Sequence, residues 1–68
     1  MTLDEISVVK HALKNGNRFY TESDDPIWNG LVNKGYAVKR GGWEDGMSYF
    51  IVTDEGKEAF EQSQASMK

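Results

Sequence analysis

Residues 35–53, GYAVKRGGWEDGMSYFIVT, constrain the fold of this chain more than any other stretch. Tyr36, Val38 and Arg40 alternate with Ala37 and Lys39, the period-two pattern of a strand with two different faces. Met47 to Val52 forms a second run, rich in β-branched and aromatic residues. Between them lie Gly41, Gly42, Trp43, Glu44, Asp45 and Gly46, which suit a turn that needs positive φ at several points. The stretch reads as a β-hairpin. Two strands alone are marginal in water, so the flanking segments must cover one face of it.

The residues after the hairpin supply a helix. Thr53 stands at its N-cap, and Asp54 and Glu55 occupy the first turn, where the helix dipole favours acids. Ala59 and Phe60 give it a modest apolar stripe, and residues 62–68, QSQASMK, read as a polar tail that frays. The residues before the hairpin supply two more helices. Thr2-Leu3-Asp4-Glu5 is a capping box, followed by Leu3, Ile6, Val9 and Leu13 at helical spacing with Ala12 beside them. That pattern predicts a helix over 3–14, closed by Asn15 and Gly16. Asp25 and Pro26 start the next one as N-cap and N1, with Ile27, Trp28, Leu31 and Val32 on one side and Gly35 at its end. Gly30 inside it costs up to ~1 kcal/mol relative to Ala, so packing rather than propensity must hold this helix. Arg18 to Thr21 reads either as a short strand or as an extended loop. As a strand, Phe19–Thr21 would give the sheet the third member it needs. The expected fold is one α+β domain over 1–68, with three helices on a small antiparallel sheet.

Size and composition bound the rest. A chain of 68 residues without cysteine has neither disulfides nor a thiolate zinc site to staple a small core. Net charge is −3, whereas general nucleic-acid binders typically carry a basic face or a domain pI above ~9. Acids stand at Asp4 and Glu5, and no apolar run approaches the roughly 18 residues of a membrane span. A soluble, cytoplasmic protein without a membrane partner is the expectation.

The stretch LVNKGYAVKR…SYFIVTDEGKEAF resembles the wing and following helix of winged helix-turn-helix proteins. In MarR- and PadR-type regulators a Leu-rich recognition helix ends in Gly, a basic strand leads into a loop, and the second strand runs into T-x-E-G-[KR]. The matching residues here are Leu31, Gly35, Lys39, Arg40, Val52, Thr53, Glu55 and Gly56. Over nearly its full length, opening with LDEISVVKHAL, the chain is similar to small winged-helix-like proteins of phages and prophages, mostly of unassigned function. The resemblance implies a winged-helix-like domain with the hairpin in the position of a wing. Winged regulators place two helices between the first helix and the wing, whereas residues 17–35 here have room for one. That helix begins with Glu22, Asp24 and Asp25, carboxylates that DNA phosphates would repel.

No motif carries catalytic chemistry. His11 is the only histidine and lies off the apolar stripe, and neither G-x-G-x-x-G nor GK[ST] occurs. No helix start follows Gly41-Gly42, so they are no phosphate loop. Asp24-Asp25 and Glu44-Asp45 lack the spacing of a calcium loop. No enzyme activity, cofactor, metal or small-molecule substrate is expected. Eight aromatic residues exceed what so small a core can bury, and exposed Trp and Tyr are favoured interface anchors. Trp43, Tyr49 and Tyr36, flanked by Glu44 and Asp45, are the expected contact residues of a non-catalytic phage-type accessory protein. Such a protein would act by protein–protein contact or self-association. The plainer reading is that Trp43 folds back over the hairpin. The alternative function is a dimeric DNA-binding regulator, with Lys34, Lys39 and Arg40 on phosphates and the helix at 26–34 in a groove. Those cations also suit a helix C-terminus and a protected edge strand.

Overall fold

Local capping chemistry starts every helix. In the computed structural model, which describes residues 1–66, the order is α1 (Leu3–Lys14), β1 (Phe19–Glu22), α2 (Pro26–Asn33), β2 (Ala37–Gly41), β3 (Met47–Val52) and α3 (Asp54–Ser66). At α1 the capping box closes both ways: Thr2 Oγ1 accepts from the Glu5 amide at 3.2 Å, and Glu5 Oε1 accepts from the Thr2 amide at 2.9 Å. Asp25 Oδ1 accepts from the amides of Ile27 and Trp28, both at 3.0 Å, and Pro26 fills the first helical position. Thr53 Oγ1 accepts from the Gly56 amide at 3.1 Å and donates to the Gly35 carbonyl at 2.8 Å, so one hydroxyl caps α3 and ties it to the end of α2. Helix α3 runs on through Ser66, past Gln62 where a fraying tail was expected; the last two residues of that tail, 67 and 68, lie outside the described residues.

Phe19–Glu22 is a strand. It pairs antiparallel with β3, which also pairs antiparallel with β2, giving the order β1-β3-β2 with β3 in the centre. Burial along β3 alternates: Ser48, Phe50 and Val52 are buried and Met47, Tyr49 and Ile51 are half-buried. The buried side faces the helices. Val9 and Ala12 from α1, Trp28 and Leu31 from α2, and Ala37, Phe50 and Val52 from the sheet form the core. Trp28 lies between Phe19 and Phe50, with ring centroids 5.4 Å from each. The chain is therefore an α+β domain of three helices on a three-stranded antiparallel sheet, with the hairpin where a wing would stand.

Helix α1 is rotated relative to the stripe read from its sequence. Leu3 is 72% exposed, while Glu5, Val9 and Ala12, spaced four and three apart, form the buried line. The small Ala12 side chain lets the helix approach the core, and Leu3 and Ile6 fall to its flank.

Asn17 begins the sheet before β1 does. Its φ is +59°, and its side chain acts as a strand neighbour to Val52, accepting from that amide at 2.8 Å and donating to that carbonyl at 3.0 Å. Asn17→Gly keeps the backbone conformation and deletes both bonds; Asn17→Asp loses the donor and sets a carboxylate against the Val52 carbonyl. Each is expected to lower stability by about 1–3 kcal/mol in chemical denaturation. A Gly variant as stable as the parent would show that the side-chain bonds contribute nothing.

Candidate interaction surface

Because alternate strand residues point to opposite faces, the register places Tyr20, Tyr49 and Arg40 in one row on the face away from the core, with Val38 and Ile51 in the next. On this outer face Tyr20 and Tyr49 sit with ring centroids 4.7 Å apart. The indole of Trp43 folds back from the loop and lies nearly parallel to Tyr20, at 9° and 6.3 Å, yet Trp43 remains 78% exposed. The Arg18 guanidinium stands 5.5 Å from the centre of the Tyr49 ring. Tyr20 donates its hydroxyl proton to Glu44 Oε1 at 3.1 Å. Loss of water around that hydroxyl, then the bond to Glu44 and its charge, raise the Tyr20 pKa, so the phenol stays a donor throughout the neutral range.

Gly42 makes this arrangement possible. A Cβ there would meet the Met47 carbonyl oxygen and the edge of the Tyr20 ring, each at 2.8 Å. With any other residue here, the loop backbone or the Tyr20 ring would have to shift.

The hairpin thus brings together Trp43, Tyr49 and Glu44, with exposed Asp45 on the same loop. Tyr36 is not part of the group. It stands at the other end of the hairpin, where its carbonyl accepts from the Thr53 amide at 3.0 Å and its side chain lines a shallow groove of about 490 Å³ with Leu3, Ile6 and Ala59. Neither do the three cations gather. Lys39 lies on the inner face, donating to Asn29 Oδ1 at 3.2 Å, and only Arg40 is on the outer face. Lys34 Nζ is 2.8 Å from Oε2 of buried Glu5. Tyr20 and Arg18 were missed by sequence reasoning. Pairing Phe19–Thr21 against the hairpin would have found Tyr20, since period-two alternation then puts it beside Tyr49.

The Glu5–Lys34 pair carries a pH dependence. Burial alone would raise the Glu5 pKa, but the Lys34 hydrogen bond, the Thr2 amide and nearby positive charge outweigh it and hold the carboxyl below its ordinary value. A depressed native pKa contributes stability above the unfolded-state value of about 4.3 and loses it as pH falls through the native value. Lys34→Met is expected to lower stability at neutral pH and to flatten or reverse this acid-side decline, read by denaturation between pH 3 and 7. An unchanged profile would mean the pair contributes nothing.

Among the described residues no three His, Asp or Glu side chains gather as metal donors, and no helix is long and apolar enough to cross a membrane. Compared with protein-family models, curated proteins and solved structures, the chain found no match in any of the three.

Proposed function

We propose that this chain is a non-catalytic, winged-helix-like accessory protein of phage type that works in the cytoplasm by protein contact or self-association through the outer face of its sheet. The observation that carries this reading is the uncovered cluster of Tyr20, Tyr49 and Trp43, with Trp43 at 78% exposure. Large rigid rings gain much contact area for little lost side-chain freedom, which makes them the usual anchors of protein interfaces. The test compares wild type and Trp43→Ala by sedimentation velocity and by retention of binding partners. Loss of self-association or of a retained partner is expected, with stability within about 0.5 kcal/mol of wild type because the indole is largely in solvent. Identical behaviour of the two proteins would sink the proposal.

A DNA-binding regulator is the second reading, favoured by Arg18 and Arg40 flanking the aromatic cluster. Against it, Lys34 is held by Glu5 and Lys39 by Asn29, two of the three cations this reading would set on phosphates, and Asp24 and Asp25 stand at the start of α2. Titration of labelled duplex at ~50 and ~200 mM salt decides: a phosphate binder loses affinity steeply between them. No binding at micromolar protein and low salt would remove this reading.

A further inference from the structure

We infer that the outer face takes a short, proline-containing peptide in the extended polyproline conformation, rather than a second globular surface. This rests on the protein-contact reading of the same face and narrows it to one kind of ligand.

Area is the first argument. Strands of four, five and six residues, about 4.8 Å apart and rising about 3.4 Å per residue, make a strip no more than roughly 14 Å by 20 Å, on the order of 250 Å². A stable interface between globular proteins buries about 800 Å² on each side. A polyproline segment of six residues spans about 19 Å and matches the strip in length.

Ring chemistry is the second. Trp43 stacks over Tyr20 and Tyr49 is inclined by 47° to Tyr20, which leaves the 78% exposed Trp43 ring as the open aromatic face of the row. Prolyl rings pack flat on such faces, and a polyproline segment is already ordered before it binds. Its carbonyls make no internal hydrogen bonds and need donors. The Tyr49 hydroxyl and the Trp43 indole N–H have no acceptor among the described residues.

Charge supplies a direction. Glu44 and Asp45 on the loop, with Glu22 in register beside Met47, make the loop end acidic, while Arg18 and Arg40 lie farther along the face. A basic residue at one end of the peptide would sit by the loop; a chain of phosphates would be repelled there.

The experiment titrates full-length ¹⁵N-labelled protein with the peptide Arg-Pro-Pro-Leu-Pro-Pro-Leu-Pro, a Gly/Ser peptide of equal length with one Arg, and an oligothymidine of eight nucleotides. Saturable shifts at Tyr20, Trp43 and Tyr49 with the proline peptide alone are expected, weakened about tenfold or more by Trp43→Ala. Replacing Glu44 and Asp45 with Gln and Asn should weaken the Arg peptide and leave its Gln counterpart unaffected. Equal binding of the Gly/Ser peptide, tighter binding of the oligonucleotide, or no shift at millimolar proline peptide would each overturn the inference. If the last of these occurs while Trp43→Ala still abolishes self-association, the peptide reading falls and the broader contact reading stands.

Discussion

Gly56→Ala is expected to unfold the domain. In a solvated helix the same change stabilises by up to ~1 kcal/mol, so the expectation runs against helix propensity. A Cβ on Gly56 would collide with the Tyr36 carbonyl oxygen and come within 2.9 Å of that carbonyl carbon and 2.8 Å of Val52 Cγ1. None of these atoms is free to move. The Tyr36 carbonyl accepts from the Thr53 amide at 3.0 Å, and Val52 is a buried member of the central strand. Shifting α3 instead would break the Thr53 cap and its bond to the Gly35 carbonyl. Overpacking costs typically about 1–3 kcal/mol and at times more, and a clash with fixed backbone falls at the upper end, comparable to the net stability of ~3–5 kcal/mol usual at this size. Far-UV circular dichroism and denaturant titration read the result directly. An alanine variant as stable as wild type would show that α3 can relax away from the sheet. Of the seven glycines, the one in the TDEGK stretch thus has the least room for a side chain.

Trp28→Ala is the second large effect. The indole is fully buried between Phe19 and Phe50, and truncation of such a side chain costs about 3–5 kcal/mol in transfer and cavity energy. Loss of the cooperative unfolding transition is expected. Trp28→Phe is expected to remain folded, about 1–2 kcal/mol below wild type. The indole Nε1–H has no acceptor among the described residues, so phenylalanine forfeits volume without leaving a broken hydrogen bond. If phenylalanine proved as damaging as alanine, that nitrogen would have to be bonded in solution. Trp43, the other tryptophan, should show the opposite profile, with little effect on stability and a large one on contact.

The two tryptophans show what local sequence can and cannot decide. Trp28 follows an Asp-Pro helix start and shares an apolar side with Leu31, so its place in the core is visible within four residues. Trp43 sits in a glycine-rich loop, where folding back over the hairpin and reaching outward are both open, and nothing nearby names Tyr20, more than twenty residues back in the chain, as the ring it meets. Lys34 is similar: beside a helix end it looks like an ordinary capping cation, and only the approach of α1 and α2 gives it Glu5 as a partner, 29 residues away. Tyr36 and Tyr49 belong to the same hairpin and look like members of one patch, but Tyr36 precedes β2 and lines the groove with Leu3, Ile6 and Ala59, while Tyr49 lies within β3 on the outer face.

The three helix starts, the hairpin and the extent of α1 and β3 are legible in the residues alone, because caps, turn glycines and side-chain periodicity act between residues three or four apart. The pairing of β1, the rotation of α1 that exposes Leu3 and buries Glu5, and the aromatic row on the outer face emerge only once the segments pack together. Those depend on register and packing between segments far apart in the chain, where many arrangements satisfy the same local pattern and the joint burial of Trp28, Phe50 and Val52 selects one.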